Sequence, residues 1–215
     1  MEALRTIQRR IHDAAIRSNR DPKSITLIAV TKTVSAERIR EAAIAGVQHV
    51  GENRLQDSIP KMEELKNLGL TWHFIGHIQT NKAKKVAEMF DWIHSVDRIE
   101  VVGKLARSTT KALSILIEVK LHDEPSKPGA DASQLPALVD AIRKHDNLKL
   151  QGLMSVPPFL ENPEDVRPYF RTLRALAAEY GLPHLSMGMT HDFEVAIEEG
   201  ATMVRIGTGL FGKRQ

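Results

Sequence analysis

Apolar residues open the chain at Leu4, Ile7, Ile11, Ala14 and Ala15. Spacings of three and four put them on one face, so the first segment is predicted to be an amphipathic helix. The pattern stops at Ser18-Asn19-Arg20-Asp21-Pro22, turn formers closed by a proline that disfavours helix at the residue before it. The period then changes. Ile25 to Val30 form a nearly continuous β-branched and apolar run, as expected of a strand buried on both faces. Ser35 suits the N-cap of a following helix whose apolar face is Ile39, Ala42 and Ala43, ended by Gly46.

That strand-then-helix unit recurs. Strand candidates lie at Ile25–Val30, Val47–Val50, Thr71–Ile75, Trp92–Val96, Leu113–Val119, Leu148–Met154, His184–Met187 and Thr202–Ile206. Each but the last precedes a helix-compatible stretch, and the spacing widens only near His122–Asp131. Regular alternation implies parallel strands with helical crossovers. Eight such strands predict a closed (β/α)8 TIM barrel, an α/β fold, with an open doubly wound sheet as the alternative. No proline- or glycine-rich linker divides the chain, so residues 1–215 read as a single domain. Glu124-Pro125-Ser126-Lys127-Pro128-Gly129 reads as an exposed loop between a strand and a helix.

Composition narrows the function classes. Lys+Arg at 30 against Asp+Glu at 27 gives a net charge of +3, with both signs scattered from end to end. A nucleic-acid binder concentrates basic charge on one face, and 5% aromatics supply few stacking platforms. With no cysteine, disulfides, thiolate metal sites and cysteine nucleophiles are excluded. No apolar run approaches the roughly 20 residues of a membrane span, and Met1-Glu2-Ala3-Leu4-Arg5 does not lead into a signal-peptide core. The expectation is a cytoplasmic protein without nucleic-acid or membrane partners.

Barrel proteins bind ligands where their strands end. Those positions hold Lys32, then Gly51-Glu52-Asn53, then His77 to Lys82, then Ser155, then Ser186 to Thr190, and finally Arg205 with Gly207-Thr208-Gly209. Lys32 directly continues a buried strand. It either snorkels outward as a surface lysine or points into the barrel mouth as a partly desolvated amine able to form a Schiff base. Gly207 to Gly212 match G-x-G-x-x-G, but only three residues follow, too few for a dinucleotide fold. A glycine turn there suits a single phosphate, or merely closes the barrel. Thr190, expected at the start of a helix, adds a hydroxyl and a positive dipole end to that corner. His73 and His77 would sit roughly 13 Å apart on a strand, too far to share an ion, so they and His49 are read as hydrogen-bonded histidines and no metal site is assigned. No G-x-S-x-G supports a serine hydrolase.

The blocks Ala29-Val30-Thr31-Lys32, Gly51-Glu52-Asn53, Trp72 to Lys82, Gly152-Leu153-Met154, Leu185 to Asp192 and Val204 to Thr208 stand in order along nearly the whole chain. They resemble the pyridoxal phosphate homeostasis protein family, whose barrel is the alanine-racemase-like one of fold type III. The resemblance implies pyridoxal 5'-phosphate as cofactor, with Lys32 as the Schiff-base lysine and Arg205 against the pyridine nitrogen. It places Ser186, Thr190, Gly207 and Thr208 around the phosphate and Asn53 beside the cofactor. The family usually has serine where Thr190 stands, and the loop from Val119 to Glu124 departs from its asparagine-containing version, although Ser126, Lys127 and Gly129 fit. The implied role is non-catalytic, in intracellular pyridoxal phosphate homeostasis, with pyridoxal-phosphate-dependent apoenzymes as candidate partners. The alternative is an amino-acid racemase of the alanine-racemase type, which needs a second acid/base on the opposite cofactor face. Tyr169 and Tyr180 are the only tyrosines, in the helical stretch Asp165–Tyr180, and His77 is the substitute nearest a strand end.

Overall fold

The structure, a computed structural model, describes residues 2–122 and 128–212. Its eight described strands are β1 (Thr26–Val30), β2 (His49–Glu52), β3 (Thr71–Phe74), β4 (Trp92–Val96), β5 (Leu113–Glu118), β6 (Leu148–Met154), β7 (His184–Met189) and β8 (Met203–Ile206). All neighbours are parallel, and β8 returns to pair with β1, Ala29 opposite Ile206, so the barrel is closed. The open-sheet alternative is thereby excluded. Closure leaves no strand edge unpaired.

Between the strands run α2 (Ala36–Ile44), α3 (Leu55–Leu65), α4 (Ala83–Met89), α5 (Ile99–Ser108), α6 (Leu135–Arg143), α7 (Arg167–Glu179) and α8 (Phe193–Glu198). The predicted cap holds: Ser35 Oγ accepts from the Arg38 N–H at 3.4 Å, and Gly46 ends the segment at φ +111°. The leading helix α1 (Glu2–Arg17) buries Leu4, Ile7, Ile11, Ala14 and Ala15. Arg10 ties it to Glu194 of α8 at 2.7 Å, while Arg20 donates to the carbonyls of Ile197 and Ala201 at the end of that helix. The chain's first helix thus covers its last repeat.

Strand side chains alternate between two environments. Ala29, Val50, Phe74, Ile93, Ile117, Leu153, Val204 and Ile206 face the helices in one large apolar layer. Ile28, Leu116, Met154 and Met203 form a smaller apolar cluster with Trp92 and Val156 inside the barrel. The rest of the interior is polar: His73, His94, Ser186, Glu118 and Arg205 are all buried. The Ile25–Val30 run is buried on both faces as expected, with Ile28 and Ala29 unexposed; the polar groups of the interior come from β3, β4, β5, β7 and β8.

Gly152 shows how tightly β6 meets β7. A Cβ there would overlap the His184 carbonyl oxygen. Gly152→Ala is expected to lower stability by roughly 3 kcal/mol in urea unfolding, because backbone and not a mobile side chain would have to move.

Candidate functional site

One cavity of about 670 Å³ opens at the C-terminal ends of the strands, where barrel ligands bind. Lys32, Asn53, Thr190, Arg205, Gly207 and Thr208 all line it. Of the residues anticipated for the cofactor, Ser186 alone does not.

Lys32 follows β1, half-buried, in a turn closed by Val34 N–H to the Thr31 carbonyl. Thr31 is held from two sides. Its hydroxyl donates to Glu52 Oε1 at 2.7 Å, and Lys61 Nζ donates both to that oxygen, at 2.7 Å, and to the Thr31 carbonyl, at 2.6 Å. Glu52 has no exposure and lies between the barrel and α3, where Lys61 is its ion-pair partner at 2.7 Å. Sequence reading missed this clamp. Glu52 at a strand end was visible, but Lys61 sits on a helix as one charge among many.

Arg205 points into the barrel and forms the cavity floor. Nη1 donates to Ser186 Oγ at 2.7 Å and Nη2 to the Ser155 carbonyl at 2.9 Å. Burial pushes its guanidinium down to about 10, while Glu118 and Asp192 pull it back up, so it stays charged at neutral pH. Ser186 has no exposure and lies beside Arg205, accepting from its Nη1.

The anticipated phosphate corner is compact. Thr208 Oγ1 donates to Thr190 Oγ1 at 3.2 Å, and the Gly209 N–H donates to the same oxygen at 3.2 Å. Thr190 accepts both, leaving its own hydroxyl hydrogen to donate onward. Gly207 to Phe211 differ slightly from expectation: after Gly207 the chain makes a single helical turn, α9 (Thr208–Phe211). Thr190 itself lies in the turn after β7, three residues before α8, so that helix does not aim its N-terminus through Thr190. Asp192 Oδ1 accepts from the Met189 N–H at 2.6 Å and fixes this turn. Gly188 needs its φ of +89°, and a Cβ there would crowd Ala196 Cβ at 2.5 Å.

Two buried oxygens near Arg205 and the cavity, Asn53 Oδ1 and Ser155 Oγ, have no hydrogen-bond partner among the described residues. An unpartnered buried acceptor costs free energy unless a ligand or water meets it. A cationic floor, a hydroxyl corner, an unsatisfied amide oxygen and a lysine around one hollow fit an aromatic aldehyde phosphate. Family loop residues Ser126 and Lys127 lie outside the described residues, but Pro128 lines the cavity.

Sequence reading also missed Glu118. It ends β5, 5% exposed, and lines the cavity. Burial and Asp97 raise its carboxyl to about 7, with Arg205 opposing. The only hint in the sequence is an acid closing an otherwise apolar strand. His77, expected to end strand three, lies beyond β3 and is half-exposed, its Nδ1 3.4 Å from Asp97 Oδ2. Neither Tyr169 nor Tyr180 lines the cavity.

Residues 4–215 match the model of the alanine racemase N-terminal domain family. The pyridoxal phosphate homeostasis protein of Aquifex aeolicus is 47% identical over 100% of this chain and 98% of its own. The chain belongs to the pyridoxal phosphate homeostasis protein family. The Escherichia coli homeostasis protein is 41% identical over 98% of this chain and 95% of its own. Among solved structures, PipY of Synechococcus elongatus, with pyridoxal phosphate bound, superposes at a TM-score of 0.85, with 39% identity, 96% of this chain and 100% of that one. Alanine racemase of Corynebacterium glutamicum shares the fold at a TM-score of 0.71, with 14% identity, over 99% of this chain and 62% of the racemase.

The Glu118 carboxyl gives a test of this electrostatic picture. Between pH 4.5 and about 7 the folded protein keeps a proton that the unfolded chain releases. Stability of the ligand-free protein should therefore fall as pH rises through that window, by up to ~3 kcal/mol. Urea unfolding across the window should show this slope, and Glu118→Gln should flatten it.

Proposed function

We propose that this protein binds pyridoxal 5'-phosphate covalently through Lys32 and serves its homeostasis in the cell, without turning over amino acids. The observation that carries this reading is convergence: Lys32, Arg205 and the Thr190–Thr208 corner line one cavity of about 670 Å³. The names of its relatives and the ligand seen in PipY agree with it.

When bound, the cofactor supplies an aldehyde that condenses with a primary amine. The protein's residues do the rest. The Glu52–Lys61 clamp on Thr31 fixes the chain from which Lys32 extends. Thr190 and Thr208 offer hydroxyls to the phosphate, and Asn53 offers its amide at the cavity wall. Arg205, charged at neutral pH, would meet the pyridine nitrogen of the bound cofactor and disfavour a proton there, which would weaken the ring as an electron sink. Such an arrangement suits storage better than transamination.

Stereoinversion needs a proton donor on each face of the cofactor. Besides Lys32, the cavity offers Glu118, His77 and His191; His77 is engaged with Asp97, and His191 Nε2 lies 3.1 and 3.0 Å from the Leu160 and Glu161 carbonyl oxygens. The test is exchange of the α-hydrogen of L- and D-alanine in heavy water, with chiral analysis. The expected result is no inversion. Racemisation lost in Glu118→Gln or His77→Ala would make the protein a racemase and overturn the homeostasis reading.

Binding has its own test. The purified protein should take up one equivalent of pyridoxal phosphate, and borohydride should fix it on Lys32 by peptide mapping. Lys32→Ala should lose the covalent adduct while retaining weak binding. Thr208→Val should weaken affinity by tenfold or more, the roughly 1.5–3 kcal/mol of a hydrogen bond to a charged group. Unchanged affinity in Thr208→Val would place the phosphate elsewhere.

A further inference from the structure

Two acidic side chains repel each other where β4 and β5 end, and only one of them is tied to a cation. Asp97 follows β4. Arg98 Nη1 donates to its Oδ1 at 2.6 Å, and His77 Nδ1 lies 3.4 Å from its Oδ2. Arg98 is anchored in turn on the Ile78 carbonyl. Glu118, which ends β5, has no ion pair of that kind among the described residues. Arg205, the cation that acts on it, donates instead to Ser186 and to the Ser155 carbonyl.

Glu118 also faces the ligand space. It stands two residues after Leu116, on the same side of the strand, and Leu116 belongs to the apolar cluster inside the barrel. Glu118 is 5% exposed, and it lines the cavity together with Lys32, His77, His191 and Arg205. Its partner on β6 is the uncharged Met154, and Asp192, in the turn after β7, acts on Arg205. Burial and Asp97 hold the Glu118 carboxyl up at about 7, with Arg205 opposing. In the ligand-free protein near neutral pH it therefore stands between its two forms.

We propose that Glu118 is a further ligand-binding residue, which takes up one proton from solvent as the anionic cofactor enters the cavity. A phosphate monoester carries a charge of about −1.5 to −2 at pH 7, and the ligand displaces water that solvates the carboxylate. Added negative charge and lost hydration both disfavour ionisation of Glu118. Arg205 contributes the same positive charge in the empty and the loaded protein, and Asp97 keeps Arg98 as its counter-charge. The balance is one proton moved from solvent to one Glu118 oxygen, where no other bond is made or broken. Once neutral, the carboxyl carries an O–H that donates to an acceptor on the ligand, whereas the carboxylate only accepts. The ligand is held more tightly as pH falls through this range and released as it rises. This role rests on the pyridoxal phosphate reading above.

Pyridoxine 5'-phosphate is the probe, because it has the ring and phosphate of the cofactor but no aldehyde, so no bond to Lys32 forms and no amine proton is lost. Calorimetry gives its affinity from about pH 6 to about pH 8.5 for the wild type and for Glu118→Gln, the uncharged isostere. Titrations of the phosphate and of the other side chains are common to both proteins and cancel in the ratio. Above about 7 the wild-type affinity should fall relative to the variant's, approaching tenfold per pH unit. Buffers of different ionisation heat should show the matching extra proton taken up by the wild type. A ratio that does not change with pH overturns the assignment, and so does a variant that binds more weakly than the wild type at about pH 8.5. Should the probe bind too weakly to measure, pyridoxal phosphate on the Lys32→Ala background gives the same ratio. Infrared difference spectra of the wild type, loaded minus ligand-free at the upper pH, need no variant. The probe has no carbonyl, so a new carboxylic-acid stretch comes from the protein. Its absence refutes the proton uptake, and its persistence in Glu118→Gln refutes the placement on Glu118. If pyridoxal phosphate does not bind the wild type at any pH, the functional reading fails and this role with it; binding with a pH-independent ratio refutes this role alone.

Discussion

A charged guanidinium inside a closed barrel is the constraint around which the rest of this interior is arranged. Arg205 is 4% exposed, and moving a cation out of water is costly unless donors and acceptors replace the solvent. Ser186 and the Ser155 carbonyl take two of its hydrogens, and Glu118 and Asp192 supply opposing charge. Once Ser186 is committed to Arg205, its own hydrogen needs an acceptor, and that need passes from His94 to His73 to His49. A single buried charge thus organises polar groups from one mouth of the barrel to the other.

The same logic separates the cavity's two halves. The Lys32 side is organised from outside the barrel, by the Glu52–Lys61 pair that lies under α3 and grips Thr31. The Arg205 side is organised from within. A ligand bridging them is held by groups whose supports do not overlap. Substitutions on the two sides should therefore act nearly independently, and a change in the inner line can alter Arg205 while leaving Lys32 in place.

The comparison with alanine racemase shows what a barrel alone supplies. The fold is common to both chains, but this one spans 62% of the racemase. Fold does not imply activity, which resides in the groups facing the ligand. Here those groups include a lysine, an arginine and a carboxyl raised to about 7, and no tyrosine lines the cavity among the described residues. Full-length relatives at 39–47% identity carry the homeostasis name over the same extent of chain.

Much of this was legible in sequence. Alternating runs set the positions of all eight described strands within a few residues, because local periodicity records which face of each element is buried. Lys32, Asn53, Thr190, Gly207 and Thr208 were readable as strand-end residues, and the cavity brings them together. Other features depended on distance in space. Ser186 and Arg205 are 19 residues apart, His94 and Ser186 92 apart, and no local pattern tells that they touch. Lys61 is one helix charge among many, and only the tertiary structure brings it to Glu52 at the strand-two exit. Glu118 was not singled out in the sequence, and only closure of the barrel buries it between Asp97 and Arg205. Periodicity decides which residues turn inward; only the closed barrel decides which of them meet, since hydrogen bonds and desolvation depend on neighbours that the chain brings together from far apart.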